Sequence, residues 1–139
     1  MRIVSLVPSA TEIVASLGLV DALVGISADC DFPPAIRGTA VLSDADVAAG
    51  LPSPDIDRHI RGQIHTGKSV YHLDAGLLAR LRPDLILTQE LCAVCAPSYS
   101  LVTRAARMLD ADARIVSLEP RGLQDILDNI LLIGDLTGA

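Results

Sequence analysis

The sequence has almost no aromatic residues: phenylalanine and tyrosine make up 2% of its 139 residues, and tryptophan is absent. Stacked rings therefore cannot form its core. Half of the residues are hydrophobic, so the core must be built from leucine, valine, isoleucine and alanine. This composition is typical of a sheet covered by helices, and the length is that of one domain.

Long hydrophobic runs are also missing. The runs "DLILT" and "ILLIG" are far shorter than the ~20 residues of a membrane-spanning helix, so we expect no insertion into a membrane. The chain opens on "MRIVSLVPS", which lacks the charged start and long apolar segment of a signal peptide. As written, the sequence predicts a cytoplasmic protein.

Basic residues are in the minority. Asp and Glu number 17 against 11 Lys and Arg, which gives a formal net charge of −6. A surface of this sign repels phosphate backbones, so the composition excludes nucleic acid as an expected partner.

Apolar, β-branched runs alternate with amphipathic patterns along the chain. We predict strands at residues 2–8, 22–27, 85–89 and 113–119, and helices at 9–18, 75–82, 98–109 and 123–136. This alternation predicts an α/β fold, a mostly parallel sheet with right-handed crossovers and helices on both faces.

Several residues indicate where these helices begin and end. Ser9 and Glu12 have the spacing of a capping box, and Gly18 follows that helix where a left-handed cap is expected. Asp74 is placed to cap the next predicted helix. The last helix carries one apolar stripe, made of Leu123, Ile126, Ile130 and Ile133.

The segment 41–71 is rich in Asp, Pro and Gly, and we predict only one short helix there, beginning at Ser53. Within it, "GQIHTGKS" at 62–69 matches a phosphate-binding loop letter for letter. Such a loop needs a buried strand before it and a helix after it. Neither flank has that pattern, so the match does not predict a nucleotide site.

The predicted strands bring the three cysteines to one edge of the sheet. Their carboxyl ends lead into "PSATE", "ADCDFPP", "QELCAVCA" and "EPRG", and ligands of open parallel sheets bind at this edge. The thiols have three interpretations: small residues that pack in tight loops, ligands of a metal or iron–sulfur group, or a redox pair in an enzyme. The candidate metal ligands are Cys30, Cys92 and Cys95.

Four blocks of the sequence occur in a familiar order. They are "RIVSLVPSATEIVASLGLVDALVGIS", "CDFPP", "LRPDLILTQELCAVCA" and "VSLEPRGLQDIL". In this order they resemble the solute-binding proteins of ABC transporters for vitamin B12 and iron-siderophores. In that family two α/β lobes are joined by one long helix and hold the ligand between them. The resemblance implies that residues 1–139 are the N-terminal lobe and the start of the connecting helix, without the second lobe.

The resemblance also implies a function without catalysis. The chain would bind cobalamin, another corrinoid or a siderophore-like metal chelate, and deliver it to an ABC permease. A lobe without its partner exposes an apolar face, so we also expect self-association. The ligand-binding residues carried over from the family are Pro8, Ser9, Ala10, Thr11, Cys30, Asp31, Phe32, Pro33, Gln89, Leu91, Cys92, Glu119 and Arg121.

The alternative function is a cytosolic metal or iron–sulfur module held by the three cysteines. It predicts metal in the purified protein.

Overall fold

A computed structural model describes residues 1–45, 52–65, 70–90, 99–108 and 113–139. Strands and helices alternate along these residues. The strands are β1 (Ile3–Ser5), β2 (Leu23–Ser27), β3 (Ala40–Ala45), β4 (Tyr71–Leu73), β5 (Leu85–Thr88) and β6 (Arg114–Ser117). The helices are α1 (Pro8–Ser16), α2 (Ser53–His65), α3 (Ala75–Leu81), α4 (Tyr99–Met108) and α5 (Leu123–Thr137).

The six strands form one sheet in the order β4-β3-β2-β1-β5-β6. All neighbours are parallel except β3 and β4, which are antiparallel. The predicted α/β fold with a mostly parallel sheet is confirmed. Each parallel connection passes over a face of the sheet, which brings the carboxyl ends of five strands to one edge.

The sheet is covered on both faces by aliphatic side chains. One cluster joins β1, β2 and β5 to α1 and to Ile133 of α5. The other joins the opposite face of the sheet to Leu78 of α3 and Val102 of α4. The central strands β1 and β5 are the most buried, since Ile3, Val4, Ile86 and Leu87 are 0% exposed. A strand buried on both faces has a continuous apolar sequence, as the sequence analysis predicted for both.

Strand β2 passes close to its neighbours at Gly25. A Cβ atom at this position would collide with Leu42 and would lie 2.9 Å from Leu81 Cδ1. Glycine is therefore required at this point because the space of a side chain is already filled by residues of β3 and α3.

The start of α1 differs from the prediction. The capping box of Ser9 and Glu12 is wrong, because the helix begins at Pro8 and its N-cap is Val7, with no side-chain cap bond. Proline is favoured in the first turn, where its fixed φ suits the helix and its missing N–H is not needed. The helix thus begins one residue earlier, and Ser9 is exposed at its first turn.

The other two predicted caps are present. Gly18 has φ +77°, and the N–H groups of Gly18 and Leu19 donate to the carbonyls of Ala15 and Val14. This pattern is a Schellman motif. The Asp74 carboxylate accepts a hydrogen bond of 2.8 Å from the Leu77 N–H at the start of α3.

The segment that was predicted to be mostly irregular contains β3, α2 and β4. Strands β3 and β4 were missed, and α2 was predicted from Ser53. The match to a phosphate-binding loop begins inside α2, at Gly62, and is followed by β4. A helix before the match and a strand after it are the reverse of the order that a phosphate-binding loop requires. That the match forms no nucleotide site stays a prediction.

Helix α5 buries only part of its predicted stripe. Ile133 is 0% exposed against the core, whereas Leu123 is 74% and Ile126 44% exposed. The helix ends at Gly138, whose φ is +73°. Among the helices of the described residues, none combines the length and hydrophobicity that crossing a membrane requires.

Candidate ligand-binding site at the carboxyl edge of the sheet

The order of the strands changes direction at β1. The chain builds β2, β3 and β4 on one side of β1, then returns to add β5 and β6 on the other side. In open α/β sheets the ligand crevice lies at such a switch point, outside the carboxyl ends of the strands. The segments that follow β1 and β5 therefore border the candidate site, and those after β2 and β6 lie further out.

The segment after β1 is the first turn of α1. Pro8 is half-buried, Ser9 is exposed and Ala10 is buried. The first amides of a helix have no partner within it and lie at its positive end. This turn can therefore donate hydrogen bonds to a polar group of a ligand, with the exposed Ser9 hydroxyl beside them.

Thr11 belongs to a buried polar contact between the first two strands. Its Oγ1 lies 2.8 Å from Ser5 Oγ and 3.1 Å from Cys30 Sγ, and all three residues are buried. These contacts hold the loop after β2 against the start of α1. Binding of a ligand by the Thr11 hydroxyl stays a prediction, since in the structure this hydroxyl joins α1 to the loop after β2.

The Cys30 thiol is 7% exposed. Burial raises its pKa above the ordinary value, although the hydrogen bond from Thr11 acts in the opposite direction. The thiol is therefore protonated at neutral pH, and a metal must displace this proton to bind the sulfur. Among the described residues, no three His, Cys, Asp or Glu side chains lie close enough together to hold a metal.

Three predicted residues lie outside the described ranges: Leu91, Cys92 and Cys95. Their roles as ligand or metal contacts stay predictions.

The loop after β2 exposes an aromatic ring. Phe32, the one phenylalanine of the sequence, is 56% exposed. Asp31 beside it is exposed, Pro33 is half-buried, and the Phe32–Pro33 peptide bond is cis. An aromatic side chain that large gains free energy when a ligand covers it, so Phe32 is the most prominent apolar contact that the described part of this edge offers.

The ends of β5 and β6 contribute polar groups. Gln89 is half-buried after β5, and Glu119 accepts a 3.1 Å hydrogen bond from the Ser117 hydroxyl after β6. The backbone N–H of Arg121 donates to the Asp125 carboxylate at 2.8 Å. The Arg121 guanidinium is exposed and forms no hydrogen bond or ion pair with any described residue, so it is free to meet an anionic group.

Sequence reasoning missed one contact at this edge. The hydroxyl of Tyr71 in β4 donates a 3.2 Å hydrogen bond to Asp29 Oδ2, and the Asp29 N–H donates to Ser27 Oγ at 3.3 Å. This contact joins β4 to the loop that carries Cys30. A lone tyrosine between charged and glycine-rich segments gave no signal for it, because the contact depends on an antiparallel strand that was not predicted.

Burial, followed by the nearby charge of Asp29, raises the pKa of Tyr71 from 10.0 to about 12. The folded state therefore keeps the phenolic proton at a pH where the unfolded chain loses it. Stability from this group is complete below about pH 10 and declines as the pH rises toward 12.

We expect the free energy of unfolding to fall by about 1 kcal/mol between about pH 9 and pH 11 through Tyr71. Urea denaturation at both pH values measures this fall. It should be smaller by that amount in Tyr71→Phe. The Cys30 thiol acts in the same direction, but it is present in both proteins. An equal fall in Tyr71→Phe and in the parent protein would therefore contradict the assignment to Tyr71.

The arrangement of strands and helices is similar to part of several solved structures of periplasmic solute-binding proteins. The chain matches no known family model and no curated protein, and the likeness is found in solved structures. The resemblance predicted from the sequence is thus confirmed as a likeness of fold.

Three solved structures show this likeness. A possible iron-binding (periplasmic solute-binding) protein from Staphylococcus epidermidis has a TM-score of 0.60 at 23% identity, over 99% of this chain and 42% of its own. The periplasmic vitamin B12 binding protein BtuF of Vibrio cholerae has a TM-score of 0.63 at 23% identity, over 96% and 40%. The periplasmic heme binding protein HutB of Vibrio cholerae has a TM-score of 0.65 at 17% identity, over 99% and 41%.

This chain spans about 40% of the length of these structures. At these identities the likeness shows the fold alone.

Proposed function

We propose that the chain is the N-terminal lobe of a solute-binding protein that captures a metal chelate at the carboxyl edge of its sheet. The ligand class is a corrinoid such as cobalamin, a heme or an iron-siderophore. The observation that carries the proposal is the exposed ring of Phe32. It lies in the loop after β2, which contacts the first turn of α1 through Cys30 and Thr11.

A metal chelate of this kind has a broad apolar face and a polar rim. The ring of Phe32, which is 56% exposed, can pack against the apolar face of the ligand. The amides in the first turn of α1 can donate hydrogen bonds to its polar rim. The free Arg121 guanidinium adds a positive charge for a carboxylate at the edge of the ligand. The exposed Ser9 after β1 is a small residue, so a large ligand can approach the backbone of this turn.

The likeness to structures titled as vitamin B12, heme and iron-binding proteins supports the ligand class. Delivery to an ABC permease and a second lobe that completes the cleft belong to the same proposal. In the periplasm or at the cell surface such a protein would collect the ligand before transport. The exposed α5 residues Leu123, Ile126, Leu127 and Leu131 support the further expectation that the 139 residues self-associate.

The cytosolic metal or iron–sulfur module is not favoured. Its ligand Cys30 is buried, its pKa is raised, and Thr11 already contacts the sulfur. A non-enzymatic role agrees with the likeness to a vitamin B12 binding protein and a heme binding protein.

The proposal is tested by absorbance titration of the protein with aquocobalamin, hemin and ferrichrome, followed by passage over a desalting column. We expect at least one pigment to shift its bands and to elute with the protein. Phe32→Ala should weaken this binding about tenfold, since it removes an aromatic face worth roughly 1–2 kcal/mol. None of the three pigments eluting with the protein would overturn the proposed ligand class.

The matched control for Phe32→Ala is Leu131→Ala, which also removes an exposed apolar side chain, 68% exposed on α5. This variant should bind the pigment as the parent does. An equal loss of affinity in both variants would indicate nonspecific adsorption of the pigment to apolar surface.

A further inference from the structure

Arginines gather at the amino edge of the sheet, opposite the candidate ligand site. Arg2 directly precedes β1, Arg82 lies shortly before β5, and Arg37 lies between β2 and β3. Arg80 is in the last turn of α3, which ends at the same edge. Four of the 11 basic residues are therefore collected here in a chain whose net charge is −6.

These arginines line two neighbouring depressions. The larger, of about 680 Å³, is bordered by Arg2, Arg80 and Arg82. The smaller, of about 480 Å³, is bordered by Arg2 and Arg37, together with Thr39 and Asp21. Arg2 and Leu81 border both, so the two depressions are neighbours, and we name them together the arginine groove.

Arg2 is fixed at the centre of the arginine groove. Its Nε donates a 2.7 Å hydrogen bond to the Leu81 carbonyl, and its backbone N–H donates to Asp84. Its remaining guanidinium nitrogens are left for another partner. A guanidinium held in this way loses less conformational entropy when it binds an anion.

The other three guanidinium groups are uncompensated. Arg37, Arg80 and Arg82 are exposed, and none forms an ion pair with a carboxylate of the described residues. By contrast, the exposed Arg58 and Arg61 of α2 are paired with Asp55 and Asp57 at 2.7 and 2.9 Å. Arginines that border the same depressions without ion pairs repel one another. Asp21 also borders the smaller depression, and a bound anion would relieve the repulsion that remains.

Arg82 is also held in an unfavourable backbone conformation. Its φ is +43° and its ψ is 62°, and among the described residues it is the one non-glycine residue with a positive φ. A helix end of this type ordinarily carries glycine, which adopts the conformation without steric cost. A side chain that is retained despite this cost is expected to have a function.

The negative end of the α3 dipole explains in part why positive charge is stable at this edge. Cations at the carboxyl end of a helix are stabilised by the helix dipole, which applies to Arg82 at the end of α3. Arg37 follows no α-helix and Arg2 precedes a strand, so the dipole does not explain why they line the same groove.

We propose that the arginine groove binds an anion that carries several phosphate groups. A guanidinium binds phosphate oxygens in a bidentate geometry. A chain of phosphates carries more charge per length than a carboxylate ligand, which suits several arginines that border neighbouring depressions. The volume of the larger depression is within the range of small-molecule sites, about 300–1,000 Å³. This site is separate from the chelate site and does not depend on the proposed function.

The test is calorimetric titration of the protein with tripolyphosphate at low salt. We expect saturable binding that weakens as salt is added, because the contacts are ionic. Arg82→Gly should bind about tenfold more weakly, since it removes one charge-assisted pair. This variant should still fold, because glycine accepts the positive φ. Arg37→Gln, which is at the other end of the groove, should show a comparable loss.

The matched control is Arg104→Gln, an exposed arginine of α4 that does not line the groove. It changes the net charge equally and should keep the affinity within about twofold of the parent. Equal losses in the groove and control variants, or no saturable binding, would overturn the proposal.

Three further titrants identify the source of the anion. Vesicles of phosphatidylglycerol that bind and are displaced by tripolyphosphate would support a lipid headgroup as the source of the phosphates. No binding to vesicles would support a free polyphosphate or nucleotide. Citrate that binds as tightly as tripolyphosphate would overturn the preference for phosphate. Oligoglutamate that binds more tightly would assign the groove to an acidic protein segment and overturn the proposed ligand.

Discussion

Replacing Gly25 with valine is expected to lower the free energy of unfolding by about 3 kcal/mol, as overpacking of a tight core does. The new Cβ would collide with Leu42 and would lie 2.9 Å from Leu81 Cδ1 and 3.3 Å from Val4 Cγ2. Val4 is 0% and Leu42 2% exposed, so neither side chain can move into solvent. The two methyl groups of valine add to this conflict, and β2 must move away from β3 or α3.

Urea denaturation followed by circular dichroism measures this loss. The matched control is Gly62→Ala in the exposed part of α2, where no atom lies within 4 Å of the added Cβ. Alanine should raise stability there by about 0.5–1 kcal/mol, because it favours the helix. A Gly25→Val protein that unfolds at the urea concentration of the parent would show that β2 does not pack as described.

Ile133→Ala is expected to destabilise the protein by about 2–4 kcal/mol through a cavity between α5 and the core. Ile133 is the one large side chain of α5 that is 0% exposed, and it packs in the same cluster as Ile13 and Val14 of α1. Its loss should also loosen the attachment of α5 and so increase proteolysis within that helix.

Leu131→Ala, two residues earlier on the same helix, is the control. This leucine is 68% exposed, so its truncation should change the free energy of unfolding by about 0.5 kcal/mol or less. Equal effects of the two substitutions would mean that α5 does not dock through the Ile133 side.

Four of the five parallel strands, β1, β2, β5 and β6, were predictable because each is a short, nearly continuous apolar run between turn residues. Strand β3 was missed because its burial is confined to Leu42 and Ser43, and Val41 is 51% exposed. Strand β4 has three residues and one fully apolar position, Leu73. Their extended conformation depends on pairing with β2 and with each other, which a local pattern does not report.

Helix ends were predictable where a single residue decides them. Gly18 and Asp74 act through their own backbone freedom or carboxylate, and both predictions are confirmed. Ser9 failed as a cap since its neighbour Pro8 was the stronger helix-starting residue. The periodicity of apolar residues in α5 was predicted correctly. Which of them are buried depends on how the helix packs against the sheet, and this the periodicity does not show.

The location of the candidate site followed from topology, since the carboxyl ends of parallel strands meet at one edge. The contacts within the candidate site could not be predicted from topology. The packing of Thr11 against Ser5 and Cys30 joins residues up to 25 positions apart in the chain, and periodicity carries no information on such distances. The arginine groove could not be predicted from the sequence either. Its arginines are dispersed from Arg2 to Arg82 in the chain and reach one edge of the sheet only in the fold.

The central position of β1 has a consequence for the order of folding. On one side β1 pairs with β2, some 20 residues later, but on the other side it pairs with β5, where Arg2 meets Asp84 across 82 positions. Contacts between residues so far apart in sequence form late, because closing a long loop costs conformational entropy before the contacts can stabilise the fold.

During synthesis the first strands therefore emerge with β1, a strand that is fully buried in the folded protein, at the edge of an incomplete sheet. Such an edge is a template for pairing with other chains. We expect the nascent chain to be most vulnerable to aggregation until Leu85–Thr88 has left the ribosome, and to be protected once β5 covers β1.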